Sequence, residues 1–496
     1  MVPQLRDSST SSQVPPSIAV HDTSFERIFG IETEYGVSVT GGEHGIDAAH
    51  AAAVMFEPVI SQSRSTNTYT ENGSRLYLDV GSHPEYATAE ARTVREAVLL
   101  DAAGENLMAG LAHNAERMLR ERTGNNGLKV HVYKNNTDSQ GHSFGCHENY
   151  LVRRSVSLDM LERCFIPFLT SRIIYAGSGA VRGNEFLISQ RSDFLDDTIS
   201  SATTRSRPMI NTRDEPHADS RVYRRLHVIV GDSNRSPRAN WMKLMTAHLV
   251  LCMIEAGTRG ENYGLEELAL ADPGEAMRVI ARDVNGAVCV RLADGRELSA
   301  IAIQREYCRA AELFMSRHAD DLRADVREEA AQCIQLWAKT LDQLEQGNLH
   351  ALGLWVDWVA KYELIEAMCR RGADSVRAQQ IDFAYHDIAH DSVFSALVQH
   401  ERMHSVFTKE QIRSAVLRAP SDTRAAARGA FVHAVRSTSM RWNADWTSVS
   451  VTPLRNTHTM TAHMLDPFDS RGDEQFDAVM RAVRGLDDSN PILPLI

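Results

Sequence analysis

Two carboxylates on one side of an otherwise apolar strand constrain this chain more than anything else in its sequence. In Arg27 to Val39 (RIFGIETEYGVSV) successive side chains point to opposite faces, so Ile31, Thr33 and Tyr35 share one face and Glu32 and Glu34 the other. Ser74 to Val80 (SRLYLDV) repeats the pattern, with Leu76, Leu78 and Val80 on the apolar face and Arg75, Tyr77 and Asp79 opposite, and Glu85 follows in GSHPEYAT. An antiparallel sheet with one wet face accounts for such residues as solvated surface. A sheet that turns them inward instead offers oxygen ligands to a hard divalent cation such as Mg²⁺, which bridges substrate phosphates. Leu128 to Tyr133 (LKVHVY) and Arg225 to Val230 (RLHVIV) read as further strands, the latter with His227 on the face away from Leu226 and Val228.

Long helices alternate with these strands. Thr93 and Glu96 have capping-box spacing, and Leu100, Leu107, Leu111 and Met118 recur at helical intervals until Gly124, with room for an interruption near Gly104. Ile334, Trp337, Leu341 and Leu344 form a second stripe ending at Gly347, and Trp355 to Met368 continues a mostly helical scaffold spanning about Ala300 to His400. A polar stretch, Ala419 to Arg428, precedes a last segment containing Trp442, Trp446 and a strand-like TSVSV run. The expected organisation is a disordered Ser-, Thr- and Pro-rich tail over 1–24, which lacks the apolar region of a secretory signal, a main domain over 25–422 and a small domain over 423–496.

Composition narrows the function. A net charge of -12 repels phosphate backbones, so no general nucleic-acid affinity is expected. No apolar run approaches the roughly 20 residues of a membrane span, so no membrane partner is expected either. Seven dispersed cysteines without a C-x-x-C pair read as reduced thiols in a cytoplasm. The P-loop, H-E-x-x-H and G-x-S-x-G signatures are absent, and GSGAVRG (Gly177 to Gly183) misses dinucleotide spacing by one residue and reads as a loop. Arg205, Arg207 and Arg213 either grip phosphate or carboxylate, or pair with Asp214 and Glu215 in a surface loop. His147 and His227 are metal or phosphate contacts, or else satisfied structural residues.

Taken together, FGIETEYGV, NGSRLYLDVGSHPEYAT, KNNTD, GCHENYL, SSATTRSRP, INTRDEPHAD and RRLHVIVGDSN resemble the Pup ligases, which attach a prokaryotic ubiquitin-like protein (Pup) to lysines of target proteins. The resemblance runs from about Arg27 to the C-terminus and departs around Glu43 to Ile60, Ala180 to Phe186 and Pro453 to Leu465. Pup deamidases and depupylases share INTRDEPHAD and RRLHVI. The short stretch between Val37 and Ser74, together with LYLDVGSHPEYAT and ATTRSRP, is similar to the ligases.

The resemblance implies an α+β fold of the glutamine synthetase type: a curved antiparallel sheet flanked by helices, with a small C-terminal domain. It implies ATP and Mg²⁺ as cofactors, Pup and lysine-bearing targets as partners, a functional link to the proteasome, and a γ-glutamyl phosphate on the C-terminal glutamate of Pup. By motif it assigns Glu32 and Glu85 as magnesium ligands and Tyr77 as a residue at the metal. Arg75, Thr88 and Trp446 become ATP contacts, and Asp79 the proton acceptor. Two alternatives stand beside it. One is a deamidase or depupylase of the same fold, in which Asp79 works with water. The other is a scaffold that has lost catalysis, which predicts substitutions at Glu32, Asp79 and Glu85, where carboxylates are found.

Overall fold

A computed structural model describes residues 25–41, 46–79, 81–138, 141–201, 207–453 and 458–485. The expected tail over 1–24, Val80 at the end of one expected strand, and Arg205 of the arginine cluster lie outside the described residues.

The alternation at the start of the chain becomes the middle of an eight-stranded sheet. Its strands run in the order Asp197–Ser200, Pro208–Asn211, Tyr223–Val228, Cys146–Arg153, Phe29–Glu34, Pro84–Ala87, Arg75–Leu78 and Asn67–Tyr69. Every neighbouring pair is antiparallel except the edge pair Asp197–Ser200 with Pro208–Asn211, which is parallel. The apolar run from Arg27 to Val39 splits at Tyr35: its second half, Gly36–Thr40, leaves the sheet and pairs with Lys129–Tyr133. The strand expected over Ser74 to Val80 stops at Leu78, because Ser82, with a φ of 66°, closes a turn back onto the carbonyl of Asp79. GSGAVRG is more than a loop, since Ala180–Arg182 pairs with Glu185–Leu187 in a short ribbon.

One face of the sheet is covered by helices. Thr93 caps the helix Val94–Thr123 by accepting from the Glu96 N–H, and Gly124 ends it in the left-handed conformation. The helix runs unbroken through Gly104, where a Cβ would lie 2.3 Å from the Tyr86 ring. Gly104 therefore serves close approach of helix to sheet, not a break. Beneath the sheet, Thr33 donates to Asp101 at 3.0 Å, and Lys134 joins Asp101 and Glu105 at 2.5 and 2.7 Å. Lys134 and Asp101 are buried, and Glu105 partly so, at the junction of the long helix with the sheet. Further helices, among them Pro237–Gly257, Ala300–His318 and Ala324–Glu345, complete the main core. No helix among the described residues is long and apolar enough to cross a membrane.

The chain after Thr423 builds a second core. Helices Ala425–Arg436 and Glu474–Arg484 pack on a three-stranded sheet of Arg441–Ala444, Ser448–Thr452 and Met460–His463, and Tyr69 from the large sheet's edge joins them. The polar stretch at this boundary is partly buried. Glu90, Arg424 and Arg428 are all buried, with Arg424 Nε donating to Glu90 at 2.7 Å and Arg428 gripping both carboxylate oxygens. Burial pushes the Glu90 carboxyl up, but Arg428 and Arg424 outweigh it and hold the group down at about 2.

Because its folded pKa lies below the ordinary glutamate value of about 4.3, Glu90 contributes stability in full above that value and loses it as pH falls toward 2. Glu90→Gln leaves two buried guanidiniums unpaired, so urea unfolding at neutral pH should show a loss of about 3 kcal/mol. The acid limb of its stability curve should also flatten. A variant as stable as the parent at pH 7 contradicts the role given to this ion triad.

Candidate active site

Cross-strand register assembles the site. In an antiparallel sheet, residues opposite one another project to the same side. Glu32 pairs with His147 on one side and Ala87 on the other, and Ala87 pairs in turn with Arg75. One row along, Glu34 faces Glu85, which faces Tyr77. His227 pairs with Asn149, two residues beyond His147 on the same strand. Five strands thus bring Glu32, Glu34, Glu85, Tyr77, Arg75, His147 and His227 to the face opposite the helices, while Leu76, Tyr86, Thr33 and Cys146 fill the buried one.

The centre of this face is a tight donor cluster. The Tyr77 hydroxyl donates to Glu32 Oε1 at 2.6 Å and touches Glu85 Oε1. His147 Nδ1 lies 3.4 Å and His227 Nε2 3.5 Å from Glu32 Oε2, and ligand atoms of Glu32, His147 and His227 all fall within 4.8 Å of one another. Gly145 makes room for this: a Cβ there would sit 2.0 Å from His147 Nε2 and displace the imidazole.

Electrostatics divide the two carboxyls. Burial pushes Glu32 up, yet hydrogen bonding and charge from His147 and His227 hold it well below the usual range. Burial followed by the Glu32 charge drives Glu85 well above that range. Burial, with His147 beside it, lowers His227 to about 4. A phenol has one proton to give, and it goes to Glu32, so the Glu85 contact is made by the carboxyl's own proton. His227 Nε2 is buried without a hydrogen-bond partner among the described residues, and 3.5 Å is too long to supply one. A carboxyl driven toward its neutral form beside a charged one and an imidazole nitrogen without a partner among the described residues are what a cation site shows without its charge, so the donor set fits a divalent ion.

The cluster borders a cavity of about 550 Å³. Arg75 stands on its wall, stacked 4.3 Å from the centre of the Tyr77 ring and donating from Nε to Asn67 at 2.9 Å. Thr88 lines it too, its hydroxyl accepting from the Ile31 N–H at 3.0 Å and so tying two strands together at the floor. Trp446, from the second core, closes another side: Tyr69 packs edge-on at 5.2 Å, and the Arg428 guanidinium lies over the indole at 5.0 Å. Asp79 is apart from these. It is exposed in the turn after Leu78 and does not line the cavity.

Sequence reasoning missed several cavity residues. Arg225 and Arg424 border it, and Arg225 Nε is buried without a partner among the described residues. The arginines singled out in the loop do otherwise: Arg213 pairs with Glu215 at 2.7 Å, Arg207 lies over the Phe194 ring, and Asp214 is taken by Arg154. Arg225 was legible from parity, because it shares a strand face with His227. Arg424 carried no signal in its polar surroundings.

Comparison with known proteins bears on this geometry. The family described as Pup-ligase protein matches residues 27–450. A Pup--protein ligase of Bifidobacterium longum (strain DJO10A) is 48% identical over 490 residues, covering 97% of this chain and 100% of the relative. The Bifidobacterium adolescentis Pup--protein ligase is 46% identical over 492 residues, covering 97% and 100%. Among solved structures, the complex between Pup and its ligase PafA matches with a TM-score of 0.84 at 34% identity, covering 95% of this chain and 96% of that one. The Pup ligase PafA in complex with ADP matches at 0.77 with 35% identity, covering 90% and 96%. The fold is therefore that of a ligase. More narrowly, the chain belongs to the Pup-ligase family. The deamidase alternative is not favoured: the stretch between Val37 and Ser74 is taken up by the helix Ala48–Ser63 and the strand Asn67–Tyr69, and the relatives above are ligases.

Proposed function

We infer that this chain is an ATP-dependent carboxylate-amine ligase that joins the γ-carboxylate of the C-terminal glutamate of Pup to lysine ε-amines of target proteins. It acts in the cytoplasm and marks its targets for the proteasome. The observation that carries the reading is that Glu32, held by Tyr77 next to the buried Glu85, lines a cavity walled by Arg75, Thr88 and Trp446. The similarity to ligases solved with ADP and with Pup supports the nucleotide and the protein substrate.

A carboxylate is a poor electrophile until one of its oxygens becomes a leaving group. In the first step that oxygen attacks the γ-phosphorus of ATP and ADP departs. In the second, the lysine nitrogen attacks the acyl carbon, phosphate leaves and a proton is given up. Glu32 and Glu85, with Tyr77 beside them, would hold Mg²⁺, which when bound supplies Lewis-acid charge to phosphoryl oxygens. Arg75 spreads the charge of the transferring group from the cavity wall. Thr88 contacts the nucleotide at the floor, and Trp446 gives the adenine an aromatic wall. A lysine amine, with a reference pKa of about 10.4, is protonated at neutral pH and needs an acceptor. Asp79 fills that role from its exposed turn, where a large protein substrate reaches it. In this reading 25–422 is the catalytic domain and 423–496 the small domain that places Trp446.

Incubation with ATP, Mg²⁺, glutamate-ended Pup and a lysine-bearing protein should give a conjugate on a gel, and none appearing would refute the reading. Glu32→Ala and Glu85→Ala should lose Mg²⁺-dependent ATP turnover while remaining folded, and turnover retained in both at ordinary Mg²⁺ counts against the metal assignment. Trp446→Ala should raise the Michaelis constant for ATP more than it slows chemistry at saturating ATP; an unchanged constant removes the indole from the nucleotide. Asp79→Asn keeps shape but loses the acceptor, so conjugation should fall by roughly 10²-fold or more with ATP affinity and melting temperature little changed. Conjugation near the parent rate in Asp79→Asn ends the general-base assignment.

A further inference from the structure

One ring on the cavity wall has no task in this mechanism. His217 lies in the loop between the Pro208–Asn211 and Tyr223–Val228 strands and has a φ of 50°. A residue other than glycine enters that left-handed region at a cost, and such residues gather where a ligand is held. Its imidazole is half-buried and meets the Trp446 indole. The two ring centres are 6.2 Å apart and tilted by 41°, and both rings border the cavity. Atoms in stacked contact lie about 3.5 Å apart, so a flat ring between two others needs a gap of about 7 Å. At 6.2 Å between centres and a 41° tilt the two rings meet each other, so a flat ring enters between them only as His217 moves outward on its loop.

Trp446 is the fixed side of this pair. The Arg428 guanidinium covers the indole, Tyr69 buttresses its edge, and Arg428 Nη1 donates to the Trp446 carbonyl at 3.0 Å. His217 is the adjustable side, carried on a loop. Burial, then Arg225 and Arg424, lower its imidazole to about 4 against the opposing charges of Asp445 and Glu215, so at neutral pH it is uncharged. An uncharged imidazole stacks on a base and keeps a nitrogen free to accept from an exocyclic amine.

We propose that His217 and Trp446 together form a two-walled slot for the purine base of the nucleotide, making His217 a nucleotide-binding residue. The proposal rests on the ATP-dependent reading above. Because both rings meet the base and neither meets the phosphates, it predicts that loss of His217 is felt by ATP and not by a bare triphosphate chain.

The test is calorimetric binding of Mg-ATP and of Mg-tripolyphosphate to the full chain, with ATP kinetics alongside, for the parent and for His217→Ala, His217→Gly and His217→Phe. His217→Ala should weaken ATP binding roughly tenfold while tripolyphosphate binding and kcat at saturating ATP stay within about twofold. His217→Gly tolerates the left-handed backbone, so an equal loss there assigns the effect to the ring, and His217→Phe should recover most of it. Parent-like ATP affinity in either the alanine or the glycine variant overturns the proposal, as does an equal loss of tripolyphosphate binding. A parent chain that binds tripolyphosphate but no ATP overturns the ligase reading itself.

Discussion

The buried triad of Glu90, Arg424 and Arg428 is the interaction on which the rest of the site depends. Glu90 follows the sheet strand that carries Glu85 and Ala87, and the two arginines begin the helix that opens the second core. Thr423 donates to the Glu90 carbonyl at 2.9 Å, and Arg428 also reaches the carbonyls of Gly73 and Trp446, each at 3.0 Å. Two guanidiniums are thus spent on one carboxylate and the chain around it. Ion pairs this deep are weak evidence for net stability, since taking the charges out of water offsets much of their attraction. What they fix is position. Trp446 stands over the cavity because Arg428 holds its carbonyl and lies over its ring, while the same arginine is bound to the sheet.

The second constraint is parity. Each strand gives its odd or even residues to one face, so pairing alone decides whether Glu32, Glu85, Tyr77, His147 and His227 meet. The helices on the far face hold that register by filling the complementary parity with Leu76, Tyr86, Thr33 and Cys146. Packing energy on one side therefore pays for carboxylates crowded together on the other, where their repulsion appears as the divided titration of Glu32 and Glu85.

This division explains what could be read from the sequence. Alternation in RIFGIETEYGV and SRLYLDV gave the faces correctly, because a strand has one period and its hydrophobic set declares itself. Thr93 and Gly124 marked the ends of the long helix for equally local reasons. What escaped depends on partners far along the chain. Gly104 was open to reading as an interruption because its reason, the Tyr86 ring, lies in another element. The stretch from Ala419 to Arg428 reads from its own residues only as a polar boundary, because the carboxylate that lets Arg424 and Arg428 be buried is the distant Glu90. Asp79 falls just past the end of the strand, in an exposed turn closing at Ser82, where alternation alone no longer says what a side chain faces. His217 sits in a loop, where no period exists to reveal which way a ring points.

The contact at Gly104 has a consequence for how this sequence can vary. Within a helix, alanine is favoured over glycine by about 1 kcal/mol, so drift at an ordinary position tends to replace glycine. Here a methyl would meet the Tyr86 ring at 2.3 Å. Tyr86 is the immediate neighbour of Glu85, and its hydroxyl is already held by Asn72 at 2.9 Å. The ring cannot retreat without shifting the strand that presents Glu85 on the other side. Positions 86 and 104 are thus bound in a single choice of size: a side chain at 104 is admissible only with a smaller one at 86. A pair of residues that touches no substrate would then have to change together, or not at all.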